Sequence, residues 1–354
     1  MDTADAARIA VLGAGSWGTA LAISLAQNGH PVALWARRPE AADEIRRTRR
    51  NEPYLPGAAL PDAVDVTSDA EAAVDGASVW VVAVPSQSVR GVVGPLAERA
   101  GPGLTVASVA KGIERETLLT TSGVLREVLP AAEPGRVGVL YGPSHAEEVA
   151  TKRPTSVVAA FPDVAVAARV QALFMSPSLR VYTNPDLVGV EVGGSVKNVM
   201  AVAAGMSDGL GLGDNAKAAL VTRGLAEITR LGIAMGADAH TFAGLAGLGD
   251  LVVTCFSQHS RNRAFGERVG RGEGVEAALG ASTMVVEGVQ TTASVRELAR
   301  RHGVEMPITE AVHAILFGGL QPAEAVSHLM ERDPKLEGAA AGPHYVPAFD
   351  GTEA

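Results

Sequence analysis

Three basic side chains stand in surroundings that do not suit an ordinary solvated charge. Lys111 follows directly on the apolar run Leu104–Ser108, in the segment Ala110-Lys111-Gly112. An ammonium there suits an anion or a carbonyl oxygen, although a solvated loop lysine is the competing reading. Lys197 lies in Glu191-Val192-Gly193-Gly194-Ser195-Val196-Lys197-Asn198, a helical stretch otherwise made of small and apolar residues. A buried ammonium is costly unless it is paired or put to use, and a nearby Lys111 would lower its pKa toward neutrality. Lys197 is therefore the candidate general acid toward a carbonyl oxygen, and the base in the reverse direction. A plain ion pair with Glu191 or Asp250 is the alternative. Arg261 sits in Ser260-Arg261-Asn262-Arg263. Ser260 has the character of a helix N-cap, and the amides after it are unpaired donors. Together with the Arg261 and Asn262 side chains they would hold a phosphate, unless this is simply a capped surface helix. Asp250, in the turn Gly247-Leu248-Gly249-Asp250, could orient Lys197, bind a substrate hydroxyl, or be a plain turn residue.

A second group of residues points to a dinucleotide. The hexamer Gly13-Ala14-Gly15-Ser16-Trp17-Gly18 follows an apolar run at residues 8–12 and opens a helical pattern from Thr19 to Asn28 that stops at Gly29. A further apolar run, Val32–Trp35, comes within about thirty residues, the strand–turn–helix–strand context this spacing requires. Gly13 permits the tight turn, Gly15 lets the backbone approach a pyrophosphate, and Gly18 allows close helix–strand packing. No acidic residue follows the second run to bind a ribose 2′-hydroxyl; Arg37 and Arg38 stand there. Guanidinium groups suit a 2′-phosphate or stack on adenine, which favours NADPH over NADH. Two surface arginines before Pro39 would look the same.

The elements that must position these residues are legible in outline. Strand runs recur at Val79–Val84, Leu104–Ser108 and Val137–Tyr141, with helical stretches between them and further candidates at Ser156–Ala160 and Leu179–Thr183. This alternation indicates an α/β fold, a Rossmann-type doubly wound and mostly parallel sheet. Ligands of such sheets collect outside the carboxyl ends of the strands. Three loops emerge there: Val84-Pro85-Ser86, Ala110-Lys111-Gly112 and Tyr141-Gly142-Pro143-Ser144-His145. Gly142 and Ser144 could offer a backbone donor and a hydroxyl, whereas His145 is set aside as a structural residue. After Asn184-Pro185-Asp186 the pattern becomes helical throughout. Val190–Met206, Asn215–Met235 and Ala293–Arg301 are the clearest helices, the second expected to be capped by Asp214. The expected division is a dinucleotide-binding domain at 1–186, a helical substrate domain at 187–335, and a loosely ordered tail at 336–354.

Composition sets the remaining bounds. A chain of 354 residues with 47% hydrophobic and 19% charged residues is globular and long enough for two cores. A formal charge of −9 argues against a nucleic-acid partner, and the basic cluster Arg46-Arg47-Thr48-Arg49-Arg50 is expected to be a solvated helix face. The single Cys255 fits a reducing compartment. The eight histidines lack metal-ligand spacing, so no metal is expected. No apolar run is expected to reach transmembrane length and no signal peptide is evident, which points to the cytoplasm.

Taken in order, the blocks GAGSWGTA, YLPG, AVPSQSVR, SVAKGIE, YGPSHAEEVA, VGVEVGGSVKNVMAVAAGMSDGLGLGDNAKAALVTRGLAE, GLAGLGDLVVTCFSQHSRNRAFG and VVEGVQT resemble the bacterial NAD(P)-dependent glycerol-3-phosphate dehydrogenases, over nearly the whole chain to about Ile315. The resemblance implies reversible reduction of dihydroxyacetone phosphate to sn-glycerol 3-phosphate by hydride transfer from NADPH or NADH, for glycerophospholipid synthesis. It also implies a helical domain like the C-terminal domain of 6-phosphogluconate dehydrogenase, and a homodimer. Carried over position by position, it makes Lys197 the proton donor and acceptor and places Lys111 against both substrate and cofactor. Gly142, Ser144, Asp250, Ser260, Arg261 and Asn262 match substrate positions, with Arg261 also near the cofactor. Ser16, Trp17, Arg37, Arg38, Tyr54, Ala146, Val285 and Glu287 match cofactor positions. His145 stands where a Phe is frequent and Tyr141 where a Ser is frequent, which leaves only the shape of that loop open. A dehydrogenase of the 6-phosphogluconate or β-hydroxyacid type, and a catalytically silent NAD(P)-binding redox sensor, are the competing readings; the clusters at Ser260–Asn262 and at Lys111 and Lys197 argue against them.

Overall fold

The computed structural model describes residues 7–281 and 284–334; the tail expected at 336–354 lies outside the described residues. Short runs of β-branched and small apolar residues form eight strands: β1 (Ile9–Leu12), β2 (Val32–Trp35), β3 (Val64–Thr67), β4 (Val79–Val82), β5 (Thr105–Ser108), β6 (Val137–Tyr141), β7 (Thr155–Ala160) and β8 (Leu179–Asn184). They make one sheet in the order β3-β2-β1-β4-β5-β6-β7-β8. Every neighbouring pair is parallel except β6 with β7, where Leu140 pairs with Ala159 in antiparallel register. The central strands β1, β4 and β5 are buried on both faces, as continuous apolar runs require. One core cluster, including Val11, Leu21 and Phe174, covers one side of the sheet. Another, including Leu12, Trp80 and Leu125, covers the other.

β1 lies between β2 and β4, so the strand order reverses at its end, and the Gly13 turn sits at that switch point. Gly13 has φ +123°, and a side chain on Gly18 would collide with the Gly13 carbonyl oxygen. The expected roles of both glycines therefore hold. β3 escaped the sequence reading because Val64-Asp65-Val66-Thr67 is a four-residue edge strand with only one buried face. The basic cluster does more than face solvent. Arg46 donates to the Val66 carbonyl from both Nε and Nη2, and Arg49, in left-handed backbone at φ 55°, donates to the carbonyls of Pro61 and Val64. Arg46, Arg47 and Arg50 all keep exposed side chains paired with Asp43, Glu44 and Glu52, so the solvated face largely holds, with Arg46 and Arg49 also tying it to β3 and the segment before it.

Beyond β8 the chain is helical. Asp186 caps the helix Leu187–Gly209, accepting from the Gly189 amide at 2.9 Å and from Thr241 Oγ1 at 2.6 Å. This central helix is long and apolar enough to cross a membrane, contrary to expectation, because it carries few charges over 23 residues; 94% of its most apolar 18-residue window is buried inside the protein. The next helix, Gly213–Ala234, begins two residues earlier than expected. Leu212 is its N-cap and Asp214 lies in its first turn, so Asp214 is not the cap. The helix Arg261–Gly270 crosses the central helix at backbone contact. A side chain on Gly205 would collide with the Arg263 carbonyl, and one on Gly266 with the Val202 carbonyl. Gly209 and Gly270 meet their partners in the same way. The approach is possible only because both helices present glycines at four-residue spacing.

Candidate active site

Because β1, β2, β4, β5 and β6 run in the same direction, their exit loops gather on one edge of the sheet. The helical half closes over that edge and leaves a cleft of about 1090 Å³ between them. Gly13, Gly15, Ser16, Trp17, Arg37, Arg38 and Tyr54 line one end. Lys111, Ser144, Lys197, Asp250, Ser260, Arg261 and Asn262 line the other, with Ala146, Val285 and Glu287 also in the wall. Two expected residues do not line it: Gly18 is buried in helix packing, and Gly142 reaches the cleft only through its carbonyl, which accepts from Lys111 Nζ at 2.9 Å.

Asp250 is the hub. It begins the helix Asp250–Phe256, its side chain is 1% exposed, and it receives both lysines. Lys111 Nζ donates to Oδ2 at 2.7 Å and Lys197 Nζ to Oδ1 at 2.6 Å. Lys197 also donates to Thr254 Oγ1 at 2.6 Å. Thr254 is one helical turn beyond Asp250, a spacing that puts both on one face and that could have revealed it in the sequence. Burial is the leading influence on Lys197 and pulls its pKa down to about 8; Asp250 opposes this and Lys111 adds to it. The sequence reading named Lys111 as the cause, but loss of hydration outweighs it. Glu191, the other partner considered for Lys197, is engaged elsewhere. It accepts from Thr120 Oγ1, Thr121 Oγ1, and the Ser122 amide and hydroxyl, and burial raises its pKa.

A second hydrogen-bonded chain runs to the capped helix. Asn198 donates to the Lys111 carbonyl at 3.3 Å, and Asn262 donates to Asn198 Oδ1 at 3.0 Å. Asn262 Oδ1 in turn accepts from the Gly288 amide at 2.9 Å. Ser260 caps its helix as expected, its Oγ accepting from the Arg263 amide. Tyr141 was the position passed over. Its ring is fully buried against Gly194, its hydroxyl donates to the Ala110 carbonyl, and Lys111 Nζ lies 5.7 Å from the ring centroid. It thus sets the strand end from which Lys111 projects.

The opposite end fits a dinucleotide. Among the described residues, a side chain on Gly15 would meet nothing within 4 Å, which leaves open space over the turn, and the buried Trp17 Nε1 has no hydrogen-bond partner. Ser16 Oγ donates to the Tyr54 carbonyl at 2.6 Å, joining the turn to the Tyr54 loop. Glu287 bridges the halves, accepting from the Ser86 amide at 3.0 Å and the Ser86 hydroxyl at 2.6 Å. Its burial raises its pKa against those two hydrogen bonds.

A doubly wound sheet with a glycine turn at its switch point, closed by helices that bury a lysine–carboxylate pair, defines a two-part dehydrogenase using a nicotinamide nucleotide. The chain matches the family descriptions "NAD-dependent glycerol-3-phosphate dehydrogenase N-terminus" over residues 8–167 and "NAD-dependent glycerol-3-phosphate dehydrogenase C-terminus" over residues 186–327. It belongs to this family. A glycerol-3-phosphate dehydrogenase (NAD(P)+) of Salinibacter ruber is 57% identical over 93% of this chain and 96% of its own length. One of Geobacillus kaustophilus is 53% identical over the same shares. The crystal structure of glycerol-3-phosphate dehydrogenase from Coxiella burnetii superposes with TM-score 0.88 at 40% identity, covering 92% of this chain and 99% of that one.

Proposed function

We propose that this chain reversibly reduces dihydroxyacetone phosphate to sn-glycerol 3-phosphate with NAD(P)H, and that the product serves glycerophospholipid synthesis. The carrying observation is the pair of lysines on the single buried carboxylate of Asp250, at 2.7 and 2.6 Å, beside the Ser260-capped helix. The bound nicotinamide supplies the hydride. The free amides after Ser260, with Arg261 and Asn262, hold the substrate phosphate. Lys111, Gly142 and Ser144 orient the carbonyl end. As the carbonyl carbon is reduced, Lys197 passes a proton from Nζ to the developing alkoxide, and in the oxidative direction it takes that proton back. Its lowered pKa keeps both protonation states accessible near neutral pH. Thr254 and Asp250 fix the ammonium, and the surrounding burial excludes water.

Gly13, Gly15, Ser16 and Trp17 would hold the cofactor, with Tyr54, Ala146, Val285, Glu287, Lys111 and Arg261 completing its wall, while Gly18 serves the site by letting the helix pack against the turn. Arg37 and Arg38, both exposed at the cleft rim, support NADPH as the preferred form. The division into a cofactor domain at 1–186 and a substrate domain at 187–335 is supported by the Asp186 cap between β8 and the central helix. A homodimer rests on the family resemblance, and the single Cys255 supports a reducing, cytoplasmic location. Steady-state NADPH oxidation with dihydroxyacetone phosphate, 6-phosphogluconate-type and β-hydroxyacid-type substrates tests the assignment: turnover is expected with the first. Activity with the others and none with the first overturns it.

A further inference from the structure

Two histidines that the mechanism does not use meet across the substrate end of the cleft. His145 stands in the loop leaving β6, between Ser144 and Ala146; His259 stands on the opposite wall, one residue before the Ser260 cap. Both line the cleft. Their ring centroids are 5.6 Å apart, with planes tilted by 53°. The Nε2 atom of His145 is buried and has no hydrogen-bond partner among the described residues, whereas buried polar atoms ordinarily have one. The His259 side chain is exposed on its turn, so it can swing away and uncover that nitrogen.

We propose that His145 and His259 form the outer half of the substrate's anion subsite, closing over the phosphate monoester that Ser260, Arg261 and Asn262 hold from the inner side. This rests on the functional reading above and extends it. Without ligand the His145 imidazole is driven toward its neutral form, chiefly by burial and next by Lys197 on the central helix. His259 adds to this, while Glu147 and Glu148, on the short helix Ala146–Ala150 that follows His145, oppose it. Lys111, Asp250 and Arg261 complete the charged groups of the same wall. A phosphate dianion reverses the balance, since a nearby negative charge favours the protonated ring. Substrate binding is then accompanied by proton uptake, and affinity falls as pH rises through the histidine range.

The test is the Michaelis constant for dihydroxyacetone phosphate between about pH 6.5 and 8.5 in the wild type, His145→Gln and His259→Gln. Each substitution is expected to raise it roughly three- to tenfold near neutrality and to flatten its pH dependence, with kcat changed less than about twofold. NADPH binding, followed by quenching of its fluorescence, should be unaltered. Wild-type constants and pH dependence in both variants overturn the subsite, as does a fall in kcat alone. If His145→Gln fails to bind NADPH, the exposed His259→Gln decides by the same criteria. A wild-type enzyme inactive on dihydroxyacetone phosphate would overturn the functional reading instead.

Discussion

Lys111 and Lys197, one from the end of β5 and one from the central helix, reach the two oxygens of the same carboxylate. The sheet half and the helical half of the molecule are therefore joined at the point where the proposed function puts the substrate carbonyl. Two cations on one buried carboxylate leave a net positive site, suited to an alkoxide forming beside a phosphate.

With its pKa lowered to about 8, Lys197 is protonated below that value and neutral above it. The reduction needs the protonated form, so its kcat is expected to fall as pH rises through about 8, while the oxidation rate rises over the same window. Lys197→Ala should lose about 10²- to 10⁴-fold in kcat and keep cofactor affinity. Parallel pH profiles in the two directions, or near-normal turnover in the variant, would move proton transfer to another group.

Removing the shared carboxylate should be felt by both lysines. Asp250→Asn leaves two cations without their anion and is expected to cost about 3–5 kcal/mol of stability, measured by chemical denaturation. The influence that raises the Lys197 pKa is also lost, so the alkaline limb of the reduction profile should move to lower pH. An unmoved limb would mean that Asp250 does not act on Lys197.

Arg37 tests the proposed preference for NADPH. Arg37→Ala is expected to raise the Michaelis constant for NADPH by about tenfold, the worth of a charged hydrogen bond, and that for NADH far less. Equal changes would show that no 2′-phosphate is held there.

The helix crossing gives a mechanical prediction. Gly266→Ala drives a methyl group into the Val202 carbonyl, with an expected loss of about 3 kcal/mol visible as a lowered Tm. A variant as stable as the wild type would show that the helices can separate without cost.

Much of this was readable from residue types. The isolated Lys111 and Lys197 break a local rule of solubility, the Gly13 turn and the Ser260 cap follow local rules of turn and cap chemistry, and each lines or shapes the cleft. β3 was missed because an edge strand with one buried face has too little periodicity to notice. Tyr141 and Thr254 were missed for a different reason. Only the folded chain brings Tyr141 under Lys111, whereas Thr254, one turn after Asp250, was signalled by spacing alone and carries chemistry too ordinary to stand out. Arg46 and Arg49 show the converse: a run of charges that looks solvated can be spent on backbone carbonyls of a neighbouring strand.

The glycine seam between the central helix and the helix Arg261–Gly270 has a wider consequence. Contact there is backbone against backbone, with no rotamer able to absorb a shift. Lys197 with Asn198 on one helix, and Arg261 with Asn262 on the other, are therefore fixed relative to one another on one wall of the cleft. The facing wall carries the cofactor turn and Lys111. Under the proposed function this fixed spacing would act as a gauge, favouring a molecule whose span between phosphate and carbonyl matches it.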